Sequence, residues 1–67
     1  MSVLKVIEVM ASSSKSWEDA AAQAVTEASK SLRGIRSVNI SNQSAIVENG
    51  KITEYRINCK MSFEIEH

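Results

Sequence analysis

The sequence predicts an α+β domain in the order β-α-β-β, and three observations carry that prediction. A Val/Ile-rich segment opens the chain, alanines at helical spacing follow, and an Asn-Gly dipeptide divides two alternating segments near the end. The first segment, "SVLKVIEVM" (2–10), has apolar residues at both parities. That suits a strand covered on much of both faces, by more than its own helix. The serine-rich break "ASSSKS" ends it.

In "SWEDAAAQAVTEASKSLRG" (16–34), Ser16 is the natural N-cap. Glu18 and Asp19 fall in the first turn, where the helix dipole favours acids. Ala21, Ala24, Val25, Ala28 and Leu32 recur at helical spacing, and Gly34 supplies the stop. The buried stripe is mostly alanine, which lets the helix lie close to the sheet it covers.

The rest reads as two strands joined at "ENGK". Asn49-Gly50 between alternating runs is a strong hairpin signal, because a type I′ turn needs positive φ at both central residues. Counting outward from Glu48 opposite Lys51 pairs Val38 with Met61, Ile40 with Cys59, Asn42 with Ile57, Ser44 with Tyr55 and Ile46 with Thr53. The opposite face pairs Ser37 with Ser62, Asn39 with Lys60, Ser41 with Asn58 and Gln43 with Arg56. The crossover makes the first and second strands parallel in direction, and the third fits antiparallel between them, in the order 1-3-2. The helix is expected on the Val38/Ile40/Ile57/Met61 face. The polar face of Ser37, Asn39, Arg56 and Lys60 is left open, and something outside the protomer should cover what one helix cannot.

At 67 residues the chain is expected to form a single domain, 1–67. A chain this short buries only about 60% of its unfolded surface, so a lone core is marginal. Cys59 is the only cysteine and His67 the only histidine, at the chain end, which leaves no disulfide and no Cys/His metal cluster. Oligomerisation is the remaining support. Eight basic and eight acidic residues balance, so no net field draws the chain to nucleic acid or anionic lipid. The opening apolar run is too short and too charged for a signal peptide or membrane span, and a cytoplasmic location is expected. An enzyme is disfavoured: no acid/base pair, glycine-rich phosphate loop or metal cluster stands out, and both glycines, Gly34 and Gly50, are explained by backbone geometry.

The opening "VLKVIEV", the helix start "SKSWEDA" and the closing "YRINCKMSFEI" together resemble the dodecins, small flavin-binding proteins, over essentially the whole chain. The resemblance implies a β-α-β-β protomer whose three-stranded antiparallel sheet wraps the helix, with twelve copies forming a hollow homododecamer. It implies flavin, FMN or riboflavin, held in pairs between subunits, stacked on tryptophan and hydrogen-bonded by glutamine. The tryptophan's position is Ser37 here, and the glutamine's is Arg56. Both lie on the open polar face. A lost stacking surface is worth about 1–3 kcal/mol, or roughly ten- to a hundredfold in affinity.

The cofactor-binding candidates are therefore Ser37, Asn39, Gln43, Arg56 and Lys60. Arg56 with Lys60 could hold a phosphate, since a guanidinium grips one bidentately. The plainer reading pairs them with carboxylates. Calcium is the alternative ligand, because some tryptophan-lacking dodecin-like proteins are discussed as calcium binders. It needs six to eight oxygens, and Glu8, Glu18, Asp19, Glu48, Glu54, Glu64 and Glu66 lie too far apart in sequence to form a loop site. The expected function is small-ligand storage at subunit contacts, with flavin as the first ligand and a calcium-binding or purely structural shell as the alternative. Trp17 is expected to pack beneath the preceding loop or against a neighbouring subunit. Tyr55, Phe63 and Cys59 are expected in the core.

Overall fold

A computed structural model describes residues 3–65; Ser2, Glu66 and His67, named above, lie outside the described residues. Strand β1 spans Leu4–Ser13, helix α1 Trp17–Ala28, strand β2 Ile35–Glu48 and strand β3 Lys51–Glu64. The sheet order is β1-β3-β2, and both neighbouring pairs are antiparallel.

Two element ends differ from expectation. β1 runs on to Ser13, because Ser12 and Ser13 still pair with Arg56 and Tyr55. The helix ends at Ala28 rather than continuing to Leu32, and Ser29 caps it with its N–H bonded to the Val25 and Glu27 carbonyls. Serines compete for backbone hydrogen bonds, so the Ser29-Lys30-Ser31 stretch turns instead of extending the helix. The N-cap is Ser16, whose hydroxyl accepts from the Asp19 N–H at 2.9 Å.

The hairpin turns at Asn49 (φ 52°) and Gly50 (φ 76°) as a type I′ turn requires. Its register agrees with expectation at Glu48/Lys51 and again from Ser37/Ser62 to Ile40/Cys59. Between them it is shifted by one: Asn42 faces Asn58, Gln43 faces Ile57, Ser44 faces Arg56, Ala45 faces Tyr55 and Ile46 faces Glu54. An extra residue in β2, Ser41, opens the shift, and an extra residue in β3, Thr53, closes it. Each bulge reverses side-chain parity, so the two cancel from Ile40 back to Ser37, beyond which a further extra residue, Arg36, sets Ile35 opposite Phe63. The result keeps Asn42 off the helix side and places Ala45 there instead.

The core lies where α1 crosses the sheet. Ile57, Cys59 and Met61 of β3 are fully buried beneath Ala20 and Ala24. Ile7, Val9, Ala11, Val25 and Val38 pack around them. Burying Ile57 or Met61 contributes about 1.5–3 kcal/mol each. Cys59 behaves as a small core residue, and burial pushes its thiol pKa above the usual value. Tyr55 and Phe63 are half-buried.

The protomer is elongated, 51 × 20 × 13 Å, with a radius of gyration of 13.8 Å. A compact chain of this length would have about 11 Å. Leu4, Val6, Met10, Val47 and Ile52 remain exposed.

Replacing Gly50 with valine tests the turn. No atom lies within 4 Å of a Cβ built there, so the whole penalty is conformational. We expect a loss of about 1–2 kcal/mol, more for a β-branched side chain than for asparagine, read from the urea midpoints of Gly50→Val and Gly50→Asn. Equal midpoints would refute the turn.

Candidate functional site

The strand alternation gives the sheet two unlike surfaces. Odd positions of β3 face the helix, and even ones form an outer face with their neighbours on β1 and β2. Across β1, β3 and β2, the outer rungs read Val6–Ser62–Ser37, Glu8–Lys60–Asn39, Met10–Asn58–Asn42 and Ser12–Arg56–Ser44. One border is apolar, from Leu4, Val6 and Met10, and the rest is polar.

Four of the five expected site residues lie on this face, Ser37, Asn39, Arg56 and Lys60, but Ser37 and Arg56 stand on rungs six residues apart along β3, about 20 Å. Gln43 does not. The Ser41 bulge moves it opposite Ile57, hence to the helix side, and Ser44 takes its place beside Arg56. The hairpin count already puts Ser62 and Asn58 on this face, though not as site residues; it misses Asn42, Ser44 and the β1 residues of the rungs. Alternation within β1 could have supplied Glu8, Met10 and Ser12, but only once its register against β3 was known.

Ser37 shares a hydrogen bond with Ser62, their hydroxyl oxygens 2.5 Å apart. The rung thus offers oxygens and no ring surface. Arg36 donates to the Glu64 carboxylate at 2.9 Å, closing the end of the face. Among the described residues no three His, Cys, Asp or Glu side chains converge as a metal group.

Two clasps hold the opposite side in place. The Trp17 indole N–H donates to the Ser44 carbonyl at 2.8 Å, and its ring meets Tyr55 edge-on, centroids 4.9 Å apart. Trp17 therefore pins the helix start to both strands of the hairpin. Ser13, buried at the end of β1, donates to the Asp19 carboxylate at 2.6 Å. The Gln23 amide donates to the same oxygen at 2.5 Å. The Ser13 bond holds the Asp19 pKa below its ordinary 3.8, against an upward push from desolvation; Gln23 and Lys15 add to the lowering. A groove of about 430 Å³ lies beside β1, floored by Ile7 and Ala11 and walled by Ala24, Ala28 and Leu32.

These features define a small β-α-β-β protein with one covered and one uncovered sheet face. The dodecin family profile matches residues 3–66, and the chain belongs to that family. It is 46% identical over 66 residues to the calcium dodecin of Mycobacterium tuberculosis, covering 97% of this chain and 92% of that one. A crystal structure of the calcium-chelating calcium dodecin from the same organism, described with a novel calcium-binding site, aligns with a TM-score of 0.82 at 42% identity, covering 96% and 91%. The dodecin of Streptomyces coelicolor aligns with a TM-score of 0.93 at 26% identity, covering 98% and 94%.

The Asp19 clasp makes stability depend on pH. With its folded pKa below the unfolded one, its contribution is fully present above about 3.8 and is lost as pH falls through the depressed value. Asp19→Asn should therefore be less stable than the native protein at about pH 6, with the gap in urea midpoint narrowing as pH falls below 3.8. A gap independent of pH would contradict the assignment.

Proposed function

We propose that this protein is a homo-oligomeric, non-catalytic small-ligand store, a dodecamer as in the family resemblance, and that its ligand is calcium. The observation that carries the choice of ligand is the Ser37–Ser62 rung. Where a flavin site needs an aromatic plane, this chain presents two hydroxyls. Similarity to a calcium dodecin points the same way.

Oligomerisation is supported by the elongated protomer, the exposed apolar border of β1 and the groove beside it. Assembly also supports calcium. Glu8, Glu54 and Glu64 are spread along the outer face of one protomer. A cation needing six to eight oxygens is then served by carboxylates and amide oxygens contributed from more than one copy.

Native mass spectrometry with added calcium, before and after a chelator, tests both parts. The expected result is a species of twelve chains carrying calcium that the chelator removes. Twelve chains that take up no calcium would overturn the ligand, and a monomer would overturn the assembly. A yellow protein with integral flavin masses would restore flavin as the ligand.

Ser37→Trp tests the place of the ring site. It should raise flavin affinity by roughly ten- to a hundredfold through the added stacking surface, read from quenching of flavin fluorescence. Unchanged affinity would show that Ser37 does not border a flavin position.

A further inference from the structure

We propose that the middle of the hairpin is a register switch: residues 42–46 exchange between the bulged pairing with β3 described above and a bulge-free pairing one residue away. The two bulges specify the alternative. Ser41 is the extra residue at one end of the shifted stretch and Thr53 at the other, on opposite strands. Taking both into the ladder sets Asn42 opposite Ile57, Gln43 opposite Arg56, Ser44 opposite Tyr55 and Ile46 opposite Thr53. Ile40/Cys59 and Val47/Ile52 keep their partners in both forms. A one-residue slip exchanges faces. Asn42, Ser44 and Ile46 turn to the helix side, Gln43 and Ala45 turn outward, and the hairpin tip turns over with them.

Little in the fold tells the two forms apart. β2 is an edge strand, so only its pairing with β3 is remade. Among the described residues of β2, Ile35 and Val38 pack against the core, and both lie outside the shifted stretch. Ser41 to Ser44 are exposed at both parities, and Ala45 and Ile46, on opposite faces, are both half-buried. A strand that is polar on both sides is weakly held in register. Two side-chain hydrogen bonds among the described residues reach this stretch, and both end on main-chain carbonyls. Trp17 donates to Ser44 at 2.8 Å, and the Thr53 hydroxyl donates to Ile46 at 3.4 Å. A carbonyl bond reads position and not side-chain identity. In the bulge-free ladder the Gln43 carbonyl takes the place opposite Arg56, so the Trp17 indole keeps an acceptor. The bulged form gains Ala45 beside Tyr55 on the helix side; the bulge-free form gains an unbroken ladder and Ile46 on that side.

The switch gives the outer face two compositions. A hydroxyl stands beside Arg56 in one, and an amide with both donors and an acceptor stands there in the other. Any contact that prefers one of them moves the register, by no more than its differential affinity for the two forms. Ala45 and the hairpin tip move with it. An event on the outer face is thereby transmitted to the helix side of the sheet, with no change at the core.

Cysteine pairs in the full, assembled chain test the switch, on a Cys59→Ala background so that no other thiol competes. Ser44→Cys with Arg56→Cys reports the bulged form, and Gln43→Cys with Arg56→Cys reports the bulge-free form. In the bulged form residues 43 and 56 point to opposite faces, so their thiols do not meet. Asn39→Cys with Arg56→Cys is the control, because Asn39 faces Lys60 in both forms, four residues or about 13 Å from Arg56. Under glutathione both reporter pairs are expected to close within single chains, the Ser44 pair faster, while the control stays open. Asn42→Val should speed closure of the Gln43 pair roughly fivefold, by giving the bulge-free form an apolar inner residue. Ile46→Thr should slow it. Failure of either reporter pair to close would overturn the proposal, as would closure of the control at a like rate, which reports fraying. Where the cysteine variants do not assemble, the native protein decides. Its amides at 41–46 and 53–58 should share one exchange process with a minor form of about 0.1–10%, read by relaxation-dispersion and saturation-transfer NMR. Flat profiles across both stretches would overturn the switch.

Discussion

The architecture depends on a mismatch of lengths. Twelve helical residues span about 18 Å, whereas each 14-residue strand of the hairpin spans about 46 Å. One helix therefore covers less than half of the hairpin. The fully buried β3 residues, from Ile57 to Met61, lie under Ala20 and Ala24, and the strands run on past them. Everything beyond that crossing needs another source of burial. Exposed Val47 and Ile52 near the hairpin tip, and Val6 and Met10 on the outer side of β1, are surfaces that a monomer in water would leave uncovered.

The crossing itself is held by small side chains and two polar clasps. Alanines let α1 lie close over β3, so the core is narrow and makes no use of the outer face. The Trp17 and Ser13 bonds tie the helix start to β2 and β1 respectively, one at each side of β3. A helix anchored at one end to both outer strands cannot slide along the sheet without breaking both bonds. Positions on the far side of that sheet take no part in the helix packing. Their side chains can change without disturbing the packing that holds the fold.

Much of this was legible in the sequence, and the exceptions have a common cause. The Asn-Gly turn, the alanine stripe and the Ser16 cap each have local chemistry that a reader can recognise. The two bulges do not. Ser41 and Thr53 cancel one another, so the register counted from the turn is right at Glu48/Lys51 and from Ile40/Cys59 to Ser37/Ser62, and wrong between. In "SNQS" (41–44) every residue is polar, and neither parity is marked as the inner one. That count puts Gln43 on the outer face, and the same ambiguity hides Ser44. The Trp17 contact with Tyr55 fixes the inner parity of β3 there, but it joins residues 38 positions apart and has no local signature.

The outer face then poses its own question of chemistry. Its ring-binding positions, as the family resemblance places them, hold a serine and an arginine. A serine rung offers oxygens, and a guanidinium offers directed N–H donors. Neither rewards a broad apolar plane in the way an indole does. Both reward compact charges, a cation coordinated by oxygens in one case and an oxyanion in the other. The face carries both signs, with Glu8, Glu54 and Glu64 among Arg56 and Lys60. The chain's net charge is zero, so attraction to either kind of ion comes from local placement and not from a long-range field.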